Sequence, residues 1–201
     1  MHSLASLLNE MNSNSIEGDV IEAGCALGGS SIVLAAAKGS QRSQTIYDTF
    51  AMIPPPGPND GPDVHSRYEA ISSGEAKGIK GDPYYGYLKD IPERVALSFE
   101  DHGYPIGENN VSLVKGLLEE TLEVPNKISL AHVDVDWYEP VHTCLERIVA
   151  QLSVGGVIVL DDYLDWSGCH EAANDYFTSN VRKRFKFSTQ YGHLTIRRIR
   201  A

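Results

Sequence analysis

Apolar and polar positions divide this chain into short runs of two kinds, some with helical spacing and some continuous. Leu4, Leu7, Leu8 and Met11 share one side of a helix over residues 3–12. The run Gly18 to Glu22 predicts a first strand. A glycine-rich turn, Ala23 to Gly29, then leads into a helix that starts near Ser30 or Ser31 and carries the apolar run from Ile32. Thr45–Tyr47 predicts a second strand ending at Asp48, Val111–Val114 a third and Ile128–Val133 a fourth. A helix broken near Pro92 is expected over 88–102. Val141, Leu145, Ile148, Val149 and Leu152 have the spacing of a crossover helix. Gly155-Gly156 is expected to turn the chain into a fifth strand, Val157–Leu160, followed by a helix over 171–177. The end reads as a hairpin: an apolar run from Phe185, a turn at Gln190–Gly192, and a run from His193 to Ile199. Strands alternating with helices predict an α/β fold, a doubly wound and mostly parallel sheet ending in an antiparallel hairpin. A chain of 201 residues is expected to form one such domain.

The segment from 51 to 87 breaks this pattern. Five of the ten prolines lie within 54–62, and six glycines lie between 57 and 86. So long an irregular stretch inside a compact domain is commonly functional. It is expected to be a lid with one short helix around His65–Ser72, mobile when empty and ordered by substrate.

Composition narrows the partners. A net charge of −10 argues against nucleic acid or an anionic membrane surface. The basic stretch Arg182–Lys186 is expected to be an exposed face before a strand. Cys25, Cys144 and Cys169 have neither zinc-ligand spacing nor an even count, so reduced thiols in a cytoplasmic protein are expected. Neither a signal peptide nor a membrane-spanning segment is expected.

The candidate chemistry lies where strands end. The fourth strand runs into Asp134 and Asp136, and the fifth into Asp161 and Asp162. Neighbouring parallel strands place such ends side by side, on the edge where open α/β sheets bind ligands. Four converging carboxylates repel unless a cation holds them, and all-oxygen donors suit Mg²⁺ or another hard divalent ion. Asp134, Asp161 and Asp162 are the candidate metal ligands. Asp136 is a candidate general base. After the first strand, Glu22 and the spacing Gly24-x-x-x-Gly28-Gly29 differ from the dinucleotide pattern G-x-G-x-x-G. A carboxylate at that strand end suits a cationic ligand. Asp48, at the end of the second strand, is placed to accept ribose hydroxyls. His132 is expected to be a hydrogen-bonded core residue, His142 a candidate for facing the site, and His170 solvated. Trp137, Tyr138 and Tyr163 flank the carboxylates, as packing residues or as substrate contacts.

Together these motifs resemble the macrocin O-methyltransferase family. The matching stretches are Gly18–Ser31, Tyr47–Phe50, Val114–Leu122, His132–Pro140, Gly155–Tyr163 and Trp166–Cys169, in order over most of the chain. The resemblance implies a Rossmann-like class I methyltransferase fold, S-adenosylmethionine, Mg²⁺ or another divalent cation, and a small-molecule hydroxyl acceptor such as a sugar or glycoside. By motif, Asp134, Asp161 and Asp162 would hold the metal and Asp136 would be the base, with His142 nearby. Glu22, Gly24, Gly28, Gly29, Ser30, Ser31, Asp48, Thr49, Phe50, Gly116 and Leu117 would surround the cofactor, bordered by Asp134. The chain begins one helix before the first strand, whereas family members usually carry a longer N-terminal region that covers the site and helps build an oligomer. The 54–87 segment is expected to take over part of that cover, and a homo-oligomer stays open. Two other readings remain: an NAD-dependent sugar oxidoreductase and a cofactor-binding relative without turnover. Against the oxidoreductase, the one Tyr-x-x-x-Lys spacing, Tyr85 to Lys89, falls before the third strand.

Overall fold

The computed structural model describes residues 2–78 and 81–201. Chain order is α1 (His2–Ser13), β1 (Asp19–Ala23), α2 (Gly29–Ala37), β2 (Gln44–Asp48), α3 (Pro62–Ser72), α4 (Ile91–Asp101), β3 (Val111–Lys115) and α5 (Leu118–Thr121). It continues with β4 (Ile128–Val133), α6 (Tyr138–Val149), β5 (Leu152–Leu160), α7 (Ser167–Tyr176), α8 (Ser179–Arg182), β6 (Phe185–Ser188) and β7 (Leu194–Arg198). The seven strands form one sheet in the order β3-β2-β1-β4-β5-β7-β6. The first five are parallel. β7 is antiparallel to both β5 and β6, as the hairpin reading requires.

All six residues of β4 are buried, as a central strand covered on both faces demands. Alternation sorts the core into two layers. Ala131, Val133, Ile158 and Leu160 pack with Val141, Leu145 and Ile148 of α6 and with α7. Leu130, Val157 and Val159 pack with Leu4, Leu8 and Met11 of α1 and Leu34 of α2. The buried positions of α6 recur at three- and four-residue steps, and each such side chain contributes roughly 1.5–3 kcal/mol of transfer free energy.

Two expectations need correction. Pro92 does not break a helix; it sits in the first turn of α4, where its missing N–H is not needed. Gly155-Gly156 does not precede the fifth strand but lies inside it. There the β4–β5 register jumps, from Ile128 opposite Leu152 to Leu130 opposite Val157. This bulge lets Gly155 take φ 88°, and a Cβ on it would sit 2.6 Å from Ile16. The helix expected around His65–Ser72 within the 51–87 segment is α3, and residues 79 and 80 lie outside the described part. Within the segment Ile53, Val64, Ile71, Ala76 and Tyr84 pack with Trp137 in a separate apolar cluster. No described helix is long and apolar enough to cross a membrane.

Candidate active site

The strand order reverses between the parallel neighbours β1 and β4, which opens a crevice at their C-terminal ends. The two chains are very close there. The Asp134 N–H donates to the Ala23 carbonyl at 2.8 Å, and a Cβ on Gly24 would lie 1.8 Å from the Asp134 carbonyl oxygen. With φ 81°, Gly24 is the residue this crossing permits. A cavity of about 230 Å³ opens from the crevice. Gly24, Asp48, Thr49, Gly116, Leu117, Asp134 and Asp136 all line it, as the motifs imply.

Asp48 shapes the turn after β1. One carboxylate oxygen accepts the Cys25 and Ala26 amides at 2.8 and 3.2 Å, and the other accepts the Phe50 amide at 2.6 Å. The oxygen that accepts the Phe50 amide still has accepting capacity, and Asp48 lines the cavity.

The structure does not bring several expected residues to the cavity wall. Glu22 lies within β1, wholly buried, with one oxygen bonded to the Ser31 hydroxyl and the other 2.9 Å from His132 Nδ1. Strand alternation turns it inward, so Glu22 and Ser31 serve the fold. Gly28, at φ 84°, caps α2 from a site where a Cβ would press on Val95 at 3.2 Å; it faces α4. Gly29 and Ser30 stay at the start of α2, outside the wall. The Phe50 ring joins the apolar cluster with Ile46, Ile91 and Val95. His142 stacks on Tyr138 at 5.7 Å and meets Tyr176 and Glu146, one turn of α6 away from the carboxylates.

The four aspartates form two groups that share Asp134. Asp134, Asp136 and Asp162 present oxygens all within 4.8 Å of one another, and so do His132, Asp134 and Asp161 with their ring nitrogen and oxygens. In the first group, burial and mutual repulsion push every carboxyl up. Asp136 rises to about 6 through burial and then Asp134, Asp162 rises to about 8 through burial and then Asp136, and Asp134 lies well above the usual range. In the second group, His132 Nε2 lies 3.7 Å from Asp161 and holds that carboxyl low. Burial pulls His132 down, but its bonds to Asp161 and Glu22 outweigh this and lift it to about 10. His132 is therefore the core histidine expected, with the added job of keeping Asp161 ionised.

Asp136 has a special backbone. It has φ 58° and sits at the centre of a γ-turn closed by the Trp137 N–H donating to the Val135 carbonyl at 2.6 Å. Its own N–H donates to Asp162 at 3.3 Å. The oxygens of Asp134, Asp136 and Asp162 lie at chelating separation and suit a hard divalent cation, whereas Asp161, expected beside Asp162 as a ligand, is grouped with His132 and Asp134 instead.

Asp60, Tyr85 and Glu139 also line the cavity, and the sequence reading missed them. Asp60 and Tyr85 lie in the irregular segment, where periodicity gives no signal, and Glu139 lies in the first turn of α6.

This strand order, with a parallel sheet closed by an antiparallel hairpin and acidic residues at the switch point, is that of class I methyltransferases. The chain belongs to the macrocin-O-methyltransferase (TylF) family, which matches it over residues 1–184. It is 29% identical over 167 residues to 8-demethyl-8-(2,3-dimethoxy-alpha-L-rhamnosyl)-tetracenomycin-C 4'-O-methyltransferase of Streptomyces olivaceus. It is 23% identical over 188 residues to demethyldecarbamoylnovobiocin O-methyltransferase of Streptomyces niveus. The matches cover 80% and 88% of this chain, which spans only 58% and 64% of the lengths of these two relatives. The solved structure of the O-methyltransferase NovP superposes with a TM-score of 0.77 at 19% identity, over 99% of this chain and 79% of that one, which shows a shared fold. These findings lend no support to the oxidoreductase alternative.

Proposed function

We propose that the chain is an S-adenosylmethionine-dependent O-methyltransferase, assisted by a divalent cation, that acts on a sugar hydroxyl of a glycosylated small molecule. The observation that carries this reading is Asp134, placed at the switch point, on the cavity wall and in both acidic groups. The acceptor class follows the names of the two relatives, one of which carries a rhamnosyl group in its substrate's name.

S-adenosylmethionine supplies a methyl group on a positively charged sulfur. Gly24 leaves the backbone open to it, Asp48 is placed to accept its ribose hydroxyls, and Thr49, Gly116 and Leu117 complete that wall. Asp134, Asp161 and Asp162 would hold the cation, which lowers the pKa of a coordinated hydroxyl. Asp161 suits that role because His132 keeps it ionised. Asp136 differs from these three. Its carboxyl, pushed up to about 6, is matched to accepting a hydroxyl proton near neutral pH, a contribution of ~10²–10⁴-fold.

The test is methyl transfer from S-adenosylmethionine to a panel of rhamnosides, with Mg²⁺ or with chelator, read by mass spectrometry. Methylated product that disappears with chelator is expected, and Asp136→Asn should lower turnover by ~10²–10⁴-fold without weakening S-adenosylhomocysteine binding. Turnover undiminished by chelator would overturn the cation. Absence of S-adenosylhomocysteine binding in calorimetry would overturn the cofactor.

A further inference from the structure

Helices α6 and α7 both start badly on their own. Trp137 and Trp166 occupy their cap positions, and neither helix has a capping side chain beside it in sequence. The first amides of a helix have no partner within it. Here the partners come from far along the chain. Asp60 accepts the Tyr138 N–H of α6 at 2.8 Å, and Asp63 accepts the Ser167 N–H of α7 at 2.9 Å. These two aspartates lie at the end of the proline-rich stretch and in the first turn of α3. The segment that carries them is fastened to the loops that bear the catalytic carboxylates.

Asp60 is the more telling of the two. It is 8% exposed, and it has no ion-pair partner among the described residues. Its second oxygen accepts the Gly57 N–H at 2.9 Å. A buried carboxylate so placed is stabilised by two amides and by the positive end of α6. Two further bonds join the same pieces: Trp137 Nε1 donates to the Pro54 carbonyl at 3.0 Å, and Asn59 donates to Glu139 at 3.1 Å. Across the clasp, Gly168 leaves no room. A Cβ there would lie 2.1 Å from the Asp60 oxygen and 2.8 Å from the Tyr138 nitrogen.

The clasp closes on the residue that follows the strained turn. Asp136, at φ 58°, is followed by Trp137, which is buried and bonded to Pro54, and by Tyr138, which is bonded to Asp60. A non-glycine residue in such a conformation persists only when its surroundings over-determine it. On the N-terminal side, the Asp134 amide is tied to β1. On the C-terminal side, the ties are those of the 54–60 segment.

We propose that Asp60 is a positioning residue for Asp136: by capping α6 it holds the γ-turn that aims the Asp136 carboxyl into the cavity. This inference rests on the reading of Asp136 as the base, and the experiment separates the two. A displacement near 1 Å at a reacting group is enough to reduce turnover by ~10²-fold.

The variants are Asp60→Ala, Asp60→Asn and Gly168→Ala, each compared with wild type as the full chain loaded with S-adenosylhomocysteine. Hydrogen exchange read by mass spectrometry needs no acceptor. Asp60→Ala and Gly168→Ala are each expected to speed exchange at residues 136–138 by about tenfold or more, with β4 unchanged. Asp60→Asn, which keeps one acceptor oxygen, should fall between them and wild type. Gly168→Ala matters because alanine favours a helix, so its effect would not come from a weaker α7. Turnover with S-adenosylmethionine, Mg²⁺ and a rhamnoside should show kcat lowered by ~10²-fold in Asp60→Ala while the KM for S-adenosylmethionine stays put. In an Asp136→Asn background the same substitution should have no further effect on kcat. Exchange at 136–138 unchanged in both Asp60→Ala and Gly168→Ala overturns the clasp, and so does an undiminished additive effect in the double variant. Full turnover by Asp136→Asn with faster exchange in Asp60→Ala overturns the base reading instead.

Discussion

Two acidic groups sit side by side at neighbouring strand ends and are in opposite electrostatic states. In the Glu22–His132–Asp161 group, charges alternate: one buried carboxylate bonds the imidazole on one side and a half-exposed carboxylate, 49% exposed, faces it on the other. In the Asp134–Asp136–Asp162 group, carboxylates crowd one another, and burial and repulsion push all three up in spite of the Arg67 charge near Asp136 and the His132 charge near Asp134. Glu22 and Asp161 are matched by a cation from the chain itself, His132. Asp134, Asp136 and Asp162 have no ion-pair partner among the described residues, and their mutual repulsion opposes ionisation.

That contrast can be broken by opposite signs of effect. Glu22→Ala removes one partner of a buried pair and leaves His132 with less counter-charge. It should destabilise the protein by ~3–5 kcal/mol in denaturant unfolding. A loss below about 1 kcal/mol would mean that the buried group is not matched in this sense. Asp162→Asn removes a charge that its surroundings oppose, so it should stabilise the metal-free protein by on the order of 1 kcal/mol. Destabilisation instead would show that the second group is internally satisfied like the first.

The smallest effect concerns the fastening of the 51–87 segment. Asp63 is held below the usual carboxylate range, chiefly by the Ser167 hydroxyl. A depressed folded-state pKa gives stability that is present above the unfolded value and lost as pH falls through the folded one. The difference in Tm between wild type and Asp63→Asn should therefore be largest near pH 6 and shrink toward about pH 3. A difference that grows on acidification would contradict the assignment.

Much of the sheet was legible because burial on both faces leaves an unbroken apolar run, as in Ile128–Val133, and because Gln190–Gly192 separates two alternating runs. The carboxylates were legible for a related reason: such runs end abruptly in Asp134 and in Asp161-Asp162. Glu22 was misread because its role depends on which face of β1 it occupies and on His132 in the next strand, 110 residues away. The strand running through Gly155-Gly156 was misread because a bulge has the composition of a turn. The small core around Ile71 and Tyr84 showed no period because its apolar positions are sparse and gather around Trp137, from another part of the chain. Asp60 and Asp63 gave no sign, since the amides they cap lie 78 and 104 residues further on. A tryptophan at the cap position of two successive helices was the available clue.

The central claim is that Asp134, Asp161 and Asp162 are a seat for a divalent cation, with Asp136 beside that seat as a base. Calorimetric titration of Mg²⁺ into the chain loaded with S-adenosylhomocysteine tests it directly, on wild type, Asp162→Asn and Asp136→Asn. The account predicts saturable binding to wild type, affinity within about threefold of that in Asp136→Asn, and a loss of at least tenfold in Asp162→Asn. No binding by wild type, or equal binding by Asp162→Asn, would contradict it.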